Sequence, residues 1–216
     1  MRQRSIVVAI CLVVVCMGCA STQRGATTKG TVSGGRYQSP LNNFIIEIPN
    51  WPGLKIQDEN DNMGGRVSLH GDFGSLWAIT YLRLPVDSES YLKDNEERDN
   101  AYSGFLKNFA LPSVFRQAFP ATQIVHEEFL GEGENRAYFA VVSIPEGSAL
   151  VDVLRDKRFD SVRGLLIFDK HGFMYMLESE MNSAFSRVDD PSSLDSQQLE
   201  SSQSALKRLK DSVVFK

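Results

Sequence analysis

Cysteine is confined to the start of this chain. The three cysteines are Cys11, Cys16 and Cys19, and residues 20–216 contain none. This distribution excludes a disulfide framework and a thiol nucleophile from the rest of the protein. The folded part must therefore be stabilised by packing and hydrogen bonds alone.

Basic residues are scattered, and long apolar runs are rare. Apart from Arg2 and Arg4, 21 of the 23 basic residues remain in residues 19–216 against 27 acidic ones, a net charge near −6. No block of Lys or Arg occurs, which argues against a nucleic-acid-binding face and against a polybasic lipid-binding patch. The one long apolar run, residues 6–17, is shorter than the roughly 20 residues that cross a bilayer core.

Motifs for catalysis and for metal binding are missing as well. The histidines His70, His126 and His171 have no other His or Cys at metal-ligand spacing. Asp72 and Glu128 each follow a histidine by two residues, and such pairs are common by chance. No Gly-x-Ser-x-Gly elbow and no phosphate-binding Gly-rich loop is present. The sequence predicts no metal, no cofactor and no enzymatic activity.

What the sequence does contain is an N-terminal targeting signal. Arg2 and Arg4 precede the apolar run, and the small residue Gly18 stands directly before Cys19. This order is typical of a secretory signal peptide with a small-residue cleavage site. An uncleaved transmembrane anchor is the alternative, although the run is short for that role.

Residues 16–20 resemble the lipobox of bacterial lipoproteins. Gly18 and Cys19 match its two strictest positions, whereas the two residues before them depart from it. The resemblance implies that the signal is cut after Gly18 and that Cys19 carries a diacylglyceryl group and palmitate. Two or three acyl chains hold a protein stably in a bilayer. Ala20 after the cysteine implies the outer membrane, with the protein facing the periplasm.

Three segments follow from these features. Residues 1–18 are the predicted lipoprotein signal peptide. Residues 19–36, the lipidated Cys19 and a flexible tether, contain one large apolar residue, Val32. A stretch this polar buries too little apolar surface to offset the entropy of ordering it. Residues 37–216 are predicted to form a single folded domain.

The folded part contains short apolar strands separated by turn residues. Strands are predicted at residues 44–48, 54–56, 66–70, 76–84, 122–130, 136–144, 162–168 and 173–179. The tight turns between them favour antiparallel pairing. Apolar residues at consecutive positions of the later strands indicate that both faces of the sheet are covered. Residues 150–154 fit either a helical turn or a short strand.

Apolar residues at helical spacing predict the two covering layers. One layer begins with Ser88 as N-cap, runs to Phe109 and resumes after Pro112 as a second short helix. The other layer is a C-terminal helix, followed by residues 213–215, which dock as a closing contact. The predicted fold class is α+β, a three-layer α/β/α sandwich around a mainly antiparallel sheet.

The domain resembles the Mog1/PsbP-like superfamily. The similarity is carried by the opening Tyr-x-Ser-Pro-x-x-Asn-Phe-x-Ile-x-Ile-Pro of residues 37–49, by the paired strands and by a last helix that runs into residues 213–215. The resemblance covers residues 37–216. It implies an α/β/α sandwich and non-enzymatic work, either binding a partner protein or assisting assembly at a membrane surface. It implies no residue-level site, because the shared positions are core and turn positions.

The middle helix carries polar residues where its apolar stripe should continue. Asn95 and Asp99 lie on the same helical face as Tyr91 and Tyr102. These four residues form a possible polar site for a small ligand or for hydrolytic chemistry. The simpler interpretation is that the helix overhangs the core at this point and that the stripe resumes at Tyr102.

Aromatic residues in turns form a second candidate site. Trp51 lies in a loop, and Phe73 and Trp77 flank another turn. Exposed aromatic side chains in neighbouring loops are typical of a protein-interaction patch. The alternative is that both Trp side chains cover the edges of the core.

These features predict a lipid-anchored cell-envelope protein. It is expected to bind or help assemble another envelope component, of unknown identity, and to catalyse nothing. Its expected partners are the membrane, through the lipid on Cys19, and an envelope protein, with no nucleic acid. The alternative function is a small-ligand binder or hydrolytic enzyme with its site around Tyr91, Asn95, Asp99 and Tyr102.

Overall fold

The computed structural model of the chain describes residues 28–85, 92, 94–148, 150–154, 156–182 and 194–216. The predicted signal peptide, Cys19 and the first part of the tether lie outside the described residues. So do the predicted helix start at Ser88 and the candidate site residue Tyr91.

Thirteen strands form three antiparallel sheets in the described part of the chain. The central sheet has seven strands in the order β4-β5-β6-β12-β11-β8-β7, a second sheet has the order β1-β2-β3-β13, and β9 and β10 form a hairpin. The strands are β1 (Thr31–Ser33), β2 (Arg36–Gln38), β3 (Phe44–Glu47), β4 (Lys55–Asn60), β5 (Gly64–His70), β6 (Leu76–Arg83), β7 (Gln123–Leu130), β8 (Ala137–Ile144), β9 (Val151–Asp152), β10 (Lys157–Arg158), β11 (Ser161–Lys170), β12 (Phe173–Asn182) and β13 (Val213–Phe215).

Both faces of the central sheet are buried, as the consecutive apolar residues predicted. Along β12, Tyr175 and Leu177 point into one core, and Met174 and Met176 point into the other. All four side chains are almost completely buried. The sheet is therefore the middle layer of a sandwich, which confirms the predicted fold class.

The first covering layer is a helix that begins as an α-helix and continues as a π-helix. Helix α1 (Asn95–Gly104) begins at the N-cap Asp94, whose carboxylate accepts a hydrogen bond from the Glu97 amide. It continues without a break as a π-helix (Phe105–Phe115), and Pro112 lies inside this segment. The predicted interruption at Pro112 is therefore wrong. The π-helical segment packs Phe105, Leu106, Leu111 and Phe115 against the sheet, and this burial outweighs the local disruption by proline.

The second covering layer combines a helix with the small four-stranded sheet. Helix α2 (Ser196–Asp211) starts with a capping box between Asp195 and Gln198 and buries Leu206 and Leu209 against the central sheet. Strand β13 then pairs with β3, so the C-terminal segment docks as predicted. Phe44 and Ile46 of β3 join the same core.

The structure differs from the predicted tether at its C-terminal end. Strands β1 and β2 form a hairpin within residues 31–38, so the ordered chain begins before Tyr37. Gly34 and Gly35 both have positive φ, 56° and 73°, as a two-residue hairpin turn requires. The polar composition of residues 19–36 predicted a tether up to Arg36, whereas residues 31–36 already belong to this hairpin.

No helix in the described residues is long enough and apolar enough to cross a membrane. The most hydrophobic helical segment is the π-helix, and its apolar side chains are buried against the sheet.

Candidate functional site

The central sheet has two ends that differ in character. At one end Thr28 lies against β4, because the Asn60 side-chain amide donates to the Thr28 carbonyl at 3.3 Å. We call this the tether end. The opposite end, the distal end, carries the loop of residues 50–54, the turn of residues 71–75 and the β9–β10 hairpin. The register places Lys55 and His70 at the distal end of their strands and Asn60 and Gly65 at the tether end.

The three residues of the predicted partner surface all lie at the distal end. The rings of Trp51 and Trp77 meet edge to face, with centroids 5.0 Å apart and an interplanar angle of 63°. Both indoles are half-buried against the core, so they cover its edge. Phe73, in the turn between β5 and β6, is 62% exposed. The two indoles thus cover the edge of the core, and Trp51 lies against Gly71 at the start of the turn that presents Phe73 to solvent. The partner surface itself stays a prediction.

Main-chain contacts lock the two aromatic loops together. The Asp72 amide donates to the Pro52 carbonyl at 3.0 Å, and the Gly71 amide donates to the Ser75 carbonyl at 2.9 Å. Gly53 has a φ of 61°, and the space that a side chain would need there is occupied by the Asp72 carboxylate. The position of Phe73 is therefore set by the fold.

The β9–β10 hairpin adds an apolar feature that the sequence analysis left open. Its residues pair as two short antiparallel strands, with Arg158 opposite Val151, and not as a helical turn. At the turn, Val153 is 87% exposed and Leu154 is 97% exposed, and Val151 is 51% exposed. The available signal was an apolar pair between charged residues in a stretch without helical or strand periodicity.

The predicted polar site is divided among separate contacts within the protein. Asn95 Oδ1 accepts a hydrogen bond from the Gly133 amide at 3.0 Å. The Asp99 carboxylate receives two hydrogen bonds from Arg136, at 2.7 and 2.6 Å. Tyr102, on the buried side of α1, donates to Asp169. Tyr91 lies outside the described residues. The three described residues thus join α1 to the loop of residues 131–136 and to β11.

The Tyr102 hydroxyl is held in its protonated, donating form. Burial raises the pKa of Tyr102, and the hydrogen bond to Asp169 raises it further. Arg98 Nε lies 3.4 Å from the same Asp169 carboxylate. A buried hydroxyl paired in this way is a structural contact between the helix and the sheet, and it is a poor general base.

A shallow groove of about 240 Å³ runs between α1 and β7, beside Asp99. Three of its polar side chains, Lys107, Glu127 and Tyr138, are paired with one another. Lys107 Nζ lies 2.9 Å from a Glu127 carboxylate oxygen, and the Tyr138 hydroxyl donates to Glu127 at 2.6 Å. The hydrogen bond from Tyr138, and then that from Lys107, lower the pKa of Glu127, so this carboxylate is ionised at neutral pH.

A buried ion cluster lies on the α1 side of the sheet, and the sequence analysis missed it. The Glu178 side chain is completely buried and receives two hydrogen bonds from Arg66, the longer of 2.9 Å. Arg163 lies 3.7 Å from Glu178 and 3.3 Å from Glu180. Burial alone would raise the pKa of Glu178, but the charge of Arg66 and its hydrogen bonds, followed by the charge of Arg163, lower it.

The histidines are not gathered into a catalytic or metal site in the described part of the chain. His70 Nε2 lies 2.9 Å from the Ser68 hydroxyl, and burial followed by the charges of Arg163 and Arg66 lowers the pKa of His70. His126 Nε2 lies 3.2 Å from Glu128. No group of three metal-ligating side chains occurs among the described residues.

Comparison of the sequence with known families and with curated proteins gives no match. The fold is similar to the solution structure of the cyanobacterial PsbP protein CyanoP from Synechocystis sp. PCC 6803, with a TM-score of 0.46, 10% identity, and coverage of 92% of this chain and 99% of that one. It is also similar to a point mutant of the protein Mog1, with a TM-score of 0.46, 9% identity, and coverage of 87% and 96%. Both TM-scores are below 0.5, so the two similarities assign neither family nor function.

Proposed function

We propose that this chain is a lipid-anchored cell-envelope protein that binds, or helps to assemble, another envelope component without catalysing a reaction. Cys19 carries the lipid in the outer membrane, and the domain faces the periplasm. The domain contacts its partner through the distal surface formed by Trp51, Phe73 and Trp77.

The exposure of Phe73 is the observation that carries this proposal. Burying a Phe side chain completely stabilises a protein by about 1.5–3 kcal/mol. Phe73 is 62% exposed and therefore contributes only a small part of this free energy to folding. Aromatic side chains are enriched at protein interfaces because they bury a large area with few rotatable bonds. The Trp51–Trp77 pair beneath the turn pre-organises Phe73, which lowers the entropy lost on binding.

The anchor is supported by the sequence around Cys19. A small residue stands before the cysteine, and a basic start and an apolar run precede it. Residues 19–216 have no polybasic patch that could hold them to lipid by charge alone. Covalent acyl chains supply about 0.8 kcal/mol per buried methylene and need no such patch.

The polar-site alternative has less support from the geometry. Asn95, Asp99 and Tyr102 are each bonded to a protein group, and these contacts hold α1 in place. A ligand at this position has to displace them. We therefore expect Asp99→Asn to leave partner binding unchanged. Loss of binding by a folded Asp99→Asn protein would favour the alternative.

Palmitate labelling in growing cells tests the anchor. We expect the protein to incorporate labelled palmitate, and Cys19→Ala or treatment with globomycin to abolish the label. Cys16→Ala is the matched control, because it removes a neighbouring thiol that lies before the predicted cleavage point. Persistence of the label in Cys19→Ala rules out the proposed attachment site.

Photocrosslinking in intact cells tests the partner surface. A Phe73→benzoylphenylalanine protein should give one protein adduct on irradiation, and Trp77→Ala in the same chain should weaken it by removing the support of the turn. Val214→Ser is the control, because Val214 is exposed to the same extent, 61%, on the second sheet. Adducts of many sizes, or none, argue against a specific partner.

A further inference from the structure

Three buried polar atoms within the ion cluster have no hydrogen-bond partner in the part of the chain that the structure describes. They are the hydroxyl oxygen of Ser161, Nε of Arg163 and Oε1 of Glu180. Ser161 is completely buried, and the side chain of Glu180 is only 3% exposed. Folded proteins leave very few buried polar groups unpaired, so three such atoms in one cluster require an explanation.

The register of the central sheet brings these three side chains together. Arg163 of β11 lies directly opposite Glu180 of β12, and Ser161 precedes Arg163 by two residues on the same face of β11. Opposite residues of an antiparallel pair have Cβ atoms about 4.5–5.5 Å apart, and diagonal neighbours are about 7–8 Å apart. Burial raises the pKa of Glu180, and the charge of Arg163 and then the Ser161 hydroxyl oppose this rise. The three unpaired atoms therefore belong to one site.

This site is enclosed between the sheet and the end of the π-helix. The guanidinium carbon of Arg163 lies 6.0 Å from the centre of the Phe115 ring, which is itself buried. Nη2 of Arg163 lies 3.3 Å from the other Glu180 oxygen and donates to the Gly147 carbonyl at 3.5 Å. A ligand at this position must be small and shielded from solvent.

The charges around the site favour a neutral ligand. Arg66 and Arg163 balance Glu178 and Glu180, so the cluster needs no counter-ion. Nε of Arg163 can only donate a hydrogen bond, an ionised Glu180 oxygen can only accept one, and the Ser161 hydroxyl can do either. A cation here is repelled by Arg163, and an anion is repelled by Glu180. Water is the smallest neutral molecule that both accepts and donates.

We propose that one internal water molecule binds between Ser161 Oγ, Arg163 Nε and Glu180 Oε1. It accepts a hydrogen bond from Arg163, donates one to Glu180 and makes the third with Ser161. Buried waters typically make about three hydrogen bonds to groups that are otherwise unsatisfied. Because Arg163 also contacts Gly147, this water helps to join β11 and β12 to the segment that leads into the β9–β10 hairpin. The inference is independent of the lipid anchor and of the partner surface.

Two buried serines allow a matched test by thermal unfolding of the full chain. The Ser202 hydroxyl of α2 is also buried and unpaired within the described residues, but it faces Gly164 on the α2 side of the sheet. Ser202→Ala removes a lone unpaired hydroxyl, so Tm should stay the same or rise. Ser161→Ala removes one of the three hydrogen bonds of the water, so Tm should fall by about 2–4 °C. An equal response of the two variants shows that Ser161 holds no water.

A high-resolution crystal structure of the full-length protein tests the water directly and needs no variant. We expect one oxygen-sized density peak at about 2.7–3.2 Å from all three atoms. A direct hydrogen bond from Arg163 Nε to Glu180 Oε1, with no density peak between β11 and β12 at this position, overturns the inference. A peak with anomalous scattering also overturns it, because the ligand is then an ion. Palmitate labelling and the probe at residue 73 report separately on the proposed function.

Discussion

The two ends of the central sheet differ in which side chains are buried and which are exposed. At the tether end, polar side chains are buried and bonded to one another: the Tyr81 hydroxyl donates to Asn60 at 2.7 Å, and the Tyr37 hydroxyl donates to Asp58 at 3.2 Å. At the distal end, apolar side chains such as Phe73 are left in solvent.

This difference separates residues that stabilise the domain from residues available for binding. A buried, satisfied hydrogen bond contributes about 1 kcal/mol, and leaving one partner unsatisfied costs more. An exposed apolar side chain contributes almost nothing to folding, so its retention at a rigid turn needs another reason. Changes at the tether end should therefore lower stability with little effect on binding, and changes at the distal turns should do the reverse.

The largest loss of stability is expected in the interior between the two ends. Glu178→Ala leaves Arg66 without its buried carboxylate and leaves Arg163 with Glu180 alone, and we expect a destabilisation of about 3 kcal/mol. Denaturant unfolding measures it. Glu47→Ala is the control, because the Arg36–Glu47 pair is largely exposed and should change stability by less than about 0.5 kcal/mol. If Glu178→Ala and Glu47→Ala lowered the free energy of unfolding equally, the buried ion pair would contribute no more to stability than the exposed one.

The same cluster should make the fold sensitive to acid. The pKa of Glu178 is lowered in the folded protein, so its contribution is present above the unfolded value of about 4.3 and is lost as pH falls through the folded pKa. The pKa of Glu180 is raised by burial, so its protonation acts in the opposite direction. Thermal unfolding between pH 7 and pH 3 should show a shallower loss of stability for Glu178→Gln than for the unchanged protein.

A smaller loss of stability is expected at the tether end. Tyr102→Phe removes the hydrogen bond between α1 and Asp169 and should destabilise the domain by about 1 kcal/mol. The adduct formed by the probe at residue 73 should be unchanged, because that probe lies at the opposite end of the sheet. A folded Tyr102→Phe protein that no longer captures the partner would place a binding role at the tether end.

The smallest effect on stability is expected at the β9–β10 turn. Val153→Ser combined with Leu154→Ser should alter the free energy of unfolding by less than about 0.5 kcal/mol, because both side chains are exposed. A large loss of stability would show that the turn packs against the domain, and the contrast between the two ends would then disappear.

Local pattern predicted the layers of the fold well. Consecutive apolar residues such as Phe139 and Ala140 required cover on both sheet faces, and both residues are completely buried in opposite cores. The prediction from sequence pattern failed at residues 31–36, where a polar composition is compatible with more than one structure. The polar composition of residues 31–36 fits a flexible tether and an exposed hairpin equally well, and the hairpin is set by the pairing of β2 with β3.

The candidate site was predicted less completely than the fold. Trp51, Phe73 and Trp77 were identified by residue type, but their convergence depends on contacts between two separate turns. Val153 and Leu154 carried no periodicity that distinguishes a hairpin turn from a helical one. Asn95 and Asp99 drew attention as polar residues in an apolar stripe, and their partners are 37 or more positions away in the chain.

The sequence by itself determined the absence of cysteine from residues 20–216, the net negative charge and the burial of both faces of the main sheet. These properties follow from composition and from periodicities of two and three to four residues, which act over short stretches of chain. The tertiary structure alone decided that Glu178 meets Arg66 across 112 positions and that the apolar turns gather at the end opposite Thr28. Such contacts depend on strand order and register, which bring distant residues together through the burial of the whole sheet.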